Sequence, residues 1–248
     1  MASIKVNRMV SKNAVYIKSQ RKIFVIGFNK CGTRSLANVF DRSGIGCVHW
    51  DNNNLVNYII KDIRETGLIN LDSYYPGSNA FTDIIYCNKN NTKDDIQIIE
   101  IFEFIEKLIE SYPDAYYIVN TRNVEDWLIS RLNHERGNFA YIYKCFLSNK
   151  YSIEYSDKML VEYWRYIWHR HHYKLLNKFK NSSHIKYLFF DIDKTEYKDL
   201  VIFLEEDYQL LGERLPVAGR TSYDNNYLRL MIIKTLRKIK YFLKAYTK

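Results

Sequence analysis

Between Gly27 and Ser35 the chain reads Gly-Phe-Asn-Lys-Cys-Gly-Thr-Arg-Ser. Two glycines, one lysine and two hydroxyls in nine residues are a phosphate-holding mixture. Glycine lets backbone N–H groups approach an anion, Lys30 supplies charge, and Thr33 and Ser35 supply directed donors. Gly27 and Gly32 have the spacing of a Walker A loop, GxxxxGK[ST]. Thr33, however, stands where that pattern requires its lysine, and Lys30 lies inside the loop. A conventional ATPase or GTPase is therefore disfavoured, while a cradle of Lys30, the Gly32, Thr33 and Arg34 amides and two hydroxyls remains. The plainer alternative is a tight strand-to-helix turn in which Gly32 only relieves the backbone.

The elements around this loop favour the cradle. Residues 22–27, KIFVIG, read as a buried parallel strand, and residues 33–42 as a helix with Leu36, Val39 and Phe40 on one face. A second short strand is expected at 46–49, followed by a turn or helix cap in the DNNN of 51–54. Residues 94–111 read as one amphipathic helix and residues 115–121, AYYIVNT, as the next buried strand. Asn123 is placed to cap the helix after it. A long aromatic helix over 156–180, a strand over 185–190, a helix over 196–211, a loop over 212–226 and a basic amphipathic helix over 227–248 complete the chain. Strands alternating with helices predict an α/β fold, a three-layer α/β/α arrangement with a central parallel sheet flanked by helices. The strand over 115–121 is expected beside the first, which brings Arg122 to the sheet edge where such folds bind ligands. Ser130 follows eight residues later, so a guanidinium fork and a hydroxyl are placed to hold a second phosphate.

Two stretches now stand out together: Lys30-Cys31-Gly32-Thr33-Arg34-Ser35, and Thr121-Arg122-Asn123-Val124-Glu125-Asp126-Trp127-Leu128-Ile129-Ser130-Arg131. Both resemble the cofactor motifs of sulfotransferases that use 3′-phosphoadenosine 5′-phosphosulfate (PAPS), a P-loop-like family. The resemblance spans about residues 22–205, with looser echoes in AFTDIIY at 80–86 and in the aromatic helix near 163–173. It implies that Lys30, Cys31, Gly32, Thr33, Arg34 and Ser35 form the loop around the 5′-phosphosulfate, and that Arg122 and Ser130 hold the 3′-phosphate. It also implies a reason for the early lysine, which would neutralise the bridging oxygen between phosphate and sulfate. PAPS would be the co-substrate and 3′,5′-adenosine bisphosphate (PAP) the product, with no metal required.

In that family a histidine or carboxylate near the end of the second strand deprotonates the acceptor. His49 and Asp51 occupy that region, Asp83 is a third candidate and His134 a fourth; His49 is preferred because its unperturbed pKa suits neutral pH. The plainer reading of His49 is a structural residue packed by Trp50. The family also closes a late loop over the nucleotide, and here Arg214 and Arg220 lie in GERLPVAGRTS. The run Trp168-His169-Arg170-His171-His172 invites a metal reading but lacks the glutamate of an HExxH pattern, and a solvated helix face is expected there instead.

Composition narrows the partners. The 248-residue chain carries a net charge of +9, of which residues 1–22 hold six basic side chains and residues 227–248 hold seven, with no acid in either segment. The remainder is left at −4, which argues against nucleic acid as the partner of the fold. The expected organisation is a single sulfotransferase-like domain over 1–248 with a basic N-terminal extension, 1–21, and the basic helix over 227–248, which offers peripheral contact with an anionic surface. Four cysteines without CxxC spacing read as free thiols, and no segment has the length of a signal peptide or membrane span, so a cytoplasmic protein is expected. The acceptor is expected to be a small molecule or a glycan, through a hydroxyl or an amine; the residues leave its identity and the oligomeric state open. Two rivals stay in view: a nucleotide kinase-like P-loop enzyme, and a non-catalytic nucleotide- or polyanion-binding module.

Overall fold

The computed structural model describes residues 21–88 and 96–218. Most of the basic N-terminal extension, Arg220 and the helix expected over 227–248 lie outside the described residues. The chain begins with β1 (Ile23–Val25), α1 (Thr33–Arg42), β2 (Cys47–His49), α2 (Asn54–Glu65) and β3 (Ala80–Thr82). A two-stranded antiparallel ribbon, β4 (Ile85–Cys87) and β5 (Ile98–Glu100), and α3 (Ile105–Ser111) follow. Then come β6 (Tyr116–Thr121), α4 (Val124–Leu132), α5 (Asn138–Tyr151), α6 (Asp157–Lys180), β7 (Lys186–Asp191) and α7 (Tyr197–Leu204).

Five strands form one parallel sheet in the order β2-β3-β1-β6-β7. Ile23 and Val25 point to one face, where Leu36, Val39 and Phe40 of α1 and Leu200 and Leu204 of α7 cover them. Phe24 points to the other, against Leu55, Val56 and Ile59 of α2, Leu108 of α3 and Phe179 of α6. Burial on both faces is why these strands read as unbroken apolar runs rather than alternating ones. The fold is thus α/β, with a central five-strand parallel sheet between helical layers. From β1 the chain runs to β2 on one side, and later from β3 to β6 on the other. The crevice beyond the C-terminal end of β1 lies at this reversal, the place where open α/β sheets take ligands.

Of the region expected as one helix over 94–111, the described residues instead form strand β5, a 3₁₀ turn at Ile101–Glu103 and the short α3. Its Ile-rich, β-branched start suits a pleated surface. Glu100 ends β5 and forms a capping box with Glu103, which starts the helical path anew. Further on, α7 stops at Leu204 rather than at 211. The turn Trp50-Asp51-Asn52-Asn53 has positive φ at all four residues (62°, 49°, 49° and 76°), which accounts for its asparagines, the residues that best tolerate that conformation.

Candidate active site

The loop after β1 is gripped from three elements. Gly27 donates its N–H to Oδ1 of the buried Asn120 on β6 at 2.7 Å, and Asn120 Nδ2 donates to the carbonyls of Phe28 (3.2 Å) and Cys31 (3.0 Å). A Cβ on Gly27 would stand 1.9 Å from the Asn120 carbonyl oxygen, so no other residue fits. Trp127 of α4 donates to the Asn29 carbonyl at 3.0 Å, and His171 of α6 to the Ile26 carbonyl at 2.8 Å. The loop then turns left-handed at Lys30 (φ 64°) and at Gly32 (φ 79°), and α1 starts at Thr33 with no side-chain cap. The first-turn N–H groups of α1 have no intrahelical acceptor and are available to an anion.

These residues floor a cleft of about 880 Å³. Lys30, Gly32, Thr33, Arg34 and Ser35 line one end. Arg122, leaving the end of β6, lines another wall with Ser130, which lies on α4 beyond an Asn123 cap that accepts from the Glu125 and Asp126 N–H groups. α4 itself is anchored through Arg131, fully buried and paired with Glu100 inside a box of five aromatic rings that includes Trp127, Tyr143 and Trp164. Residues 215–218 cross over the start of α1, where the Ala218 N–H donates to Ser35 Oγ at 3.2 Å.

His49 and Asp83 enter the cleft from the ends of β2 and β3. His49 Nε2 lies 3.9 Å from Asp83 Oδ2, and its Nδ1 is 2.8 Å from Oγ1 of the buried Thr82. That pairing follows from the register of the strands, which sets His49 opposite Thr82. Asp83 has φ 56°, and its Oδ1 is buried without a hydrogen-bond partner. Burial lowers the His49 pKa below its ordinary value, opposed by the Asp83 carboxylate. Burial raises that of Asp83, opposed by His49 and Lys30. Lys30 is lowered, first by burial and then by Arg34 and Arg122, against a pull from Asp83.

Three expected contributors do not bring side chains to the cleft. Cys31 turns its thiol into the core among the α4–α6 helices, where burial pushes its pKa up to about 12. Asp51 faces away inside its left-handed turn and accepts from the Tyr75 hydroxyl at 2.6 Å. Arg214 is exposed and outside the cleft lining; only its carbonyl is used, by Arg42. His134 does line the cleft. The histidine run on α6 is a solvated face only at His169 and Arg170, which are exposed. His171 holds Ile26, and His172 stacks on Trp168 and bonds Thr121 Oγ1 at 2.9 Å. Asn120, Thr82 and Asp193 were not singled out by sequence. Asn120 alone left a signal, a polar residue inside an apolar buried strand.

One cleft thus brings together Lys30 and the open start of α1, a second cation and hydroxyl in Arg122 and Ser130, and the His49–Asp83 pair. Residues 22–205, about three quarters of the chain, match the sulfotransferase domain family, and the chain belongs to it. Among individually curated proteins none matches the chain significantly. Membership supports a transferase that moves sulfuryl groups. Among the described residues no helix is long and apolar enough to cross a membrane.

Proposed function

We propose that the protein transfers the sulfuryl group of PAPS to a hydroxyl or amine of a small-molecule or carbohydrate acceptor bound beside His49. The observation that carries this is the convergence of Lys30, the uncapped start of α1, Arg122 and Ser130 on one cleft. One anion-binding end takes the 5′-phosphosulfate, and Arg122 with Ser130 takes the 3′-phosphate. Two separated phosphate sites match a nucleotide bisphosphate better than a triphosphate.

His49, kept neutral by burial, takes the acceptor proton at Nε2. The base role assigns the proton to Nδ1, 2.8 Å from Thr82 Oγ1, the tautomer that leaves Nε2 free. The acceptor oxygen or nitrogen forms its bond to sulfur as the bond from sulfur to the bridging oxygen breaks, and the electron pair leaves on the 5′-phosphate of PAP. Lys30 and the α1 amides stabilise that charge, and Asp83 stabilises the imidazolium. Acceptor identity resides in the cleft mouth between Asp83 and His134.

The test is label transfer. Sulfur-35 PAPS and γ-phosphorus-32 ATP are offered in parallel to one panel of alcohols, amines and sugars. Sulfur labelling, abolished in Lys30→Ala, is the expected result. Phosphorus labelling without sulfur labelling would replace this reading with a kinase.

A further inference from the structure

The cleft contains a carboxylate in an unexpected place. Asp193, on the turn between β7 and α7, puts Oδ2 3.6 Å from Arg122 Nε, and both residues line the cleft. No hydrogen bond competes for this edge of the guanidinium: Nε is buried without a hydrogen-bond partner, and Nη1 only grazes the Lys30 carbonyl at 3.5 Å. The turn is built to hold the acid there. The Ile192 N–H donates to the Thr121 carbonyl at 2.9 Å, one residue before Arg122. The Asp193 N–H donates to Asp191 Oδ1 at 3.0 Å. The Ile192 side chain packs on Gly32 so closely that a Cβ there would meet it at 2.9 Å. One turn therefore touches both phosphate-binding ends.

We infer that Asp193 is an internal competitor for the 3′-phosphate site: its carboxylate occupies Arg122 and must yield when a phosphate binds. The inference rests on the donor assignment above. An acid beside the incoming phosphate weakens binding through like-charge repulsion, and it does so equally for donor and spent product, since both carry the 3′-phosphate. The functional sense is release. A site with Lys30, Arg34, Arg122 and a helix N-terminus would hold the bisphosphate product tightly, and product departure sets turnover in many enzymes. Asp193 offers Arg122 a replacement partner as the phosphate leaves.

Calorimetric titration of the whole chain and of Asp193→Asn with PAP and with 5′-AMP tests this. Asparagine keeps the shape and the backbone N–H of the turn, and the half-exposed position tolerates it. The expected result is PAP binding about 5–10-fold tighter in the variant, with 5′-AMP changed less than about twofold. PAP affinity unchanged or weakened in Asp193→Asn, with wild-type binding intact, overturns the competitor role and leaves the donor assignment standing. An equal gain for PAP and 5′-AMP also overturns it, because the effect would then be general charge. PAP binding by neither protein overturns the donor assignment, and the inference with it.

Discussion

At the scale of single residues, Lys30 answers two opposing demands. Burial and the neighbouring Arg34 and Arg122 lower its pKa, while Asp83 holds its charge in place. In the proposed reaction its charge matters most as the leaving phosphate gains charge. Lys30→Ala is therefore expected to cut turnover by ~10²–10³-fold and to weaken PAP binding by less than about tenfold, a split that steady-state kinetics and calorimetry read separately. In the proposed reaction His49 sets the pH profile: burial lowers its pKa below the ordinary 6.5, which suits a neutral base at pH 7. Activity should hold on going down to pH 6.5 and fall below it, as the imidazole is protonated. Thr82 positions this ring without touching substrate. Thr82→Val leaves Nδ1 unpaired and should lower turnover about tenfold with the pH profile displaced, while Thr82→Ser restores both. A Thr82→Val enzyme with an unaltered profile would show that the ring is held by its packing alone.

At the scale of elements, the loop after β1 depends on a side chain from another strand. Asn120 satisfies one N–H and two carbonyls of the loop. Asn120→Ala strands these buried groups at a cost of at least about 3 kcal/mol, read as a lower urea midpoint, and should also weaken PAP binding as the loop loosens. The sequence showed the loop and the Arg122–Ser130 pair because both are local patterns on legible elements. β1, β6 and β7 were readable as continuous apolar runs, and α1 and α6 by their periodicity. β3 was not: Ala80-Phe81-Thr82 is three residues, and only pairing with β1 and β2 makes it a strand. The 94–111 error has the same origin, since an Ile-rich stretch fits helix and strand alike until β4 lies beside it. Asp193 was invisible for a further reason. Its meaning arises only when the turn after β7 meets the end of β6.

At the scale of the molecule, two buried polar devices tie the layers together. Arg131 and Glu100 join α4 to the β4–β5 ribbon, with the Tyr143 hydroxyl donating to Glu100 at 3.1 Å. Arg131→Met alone should cost about 3–5 kcal/mol, because it leaves the carboxylate buried and unpaired, and adding Glu100→Leu should recover most of that loss in urea denaturation. His171, 2% exposed, joins α6 to the phosphate loop, and burial lowers its pKa to about 4. Between the unfolded value near 6.5 and about 4 the unfolded chain binds the extra proton, so stability is full above pH 6.5 and drains as pH falls toward 4. The loss is on the order of 3 kcal/mol for this residue. His171→Gln keeps a donor for Ile26 and should flatten that part of the stability–pH curve.

The proposed function stands or falls on a cleft that takes a nucleotide with two separated phosphates. The most direct test is calorimetric titration with PAP without added metal, set beside ATP with Mg²⁺, on the wild-type chain and on Arg122→Ala. The account predicts binding of PAP by the wild type, lost in the variant, and little or none of ATP–Mg²⁺. Binding of ATP–Mg²⁺ in preference to PAP, or PAP binding indifferent to Arg122, would contradict it.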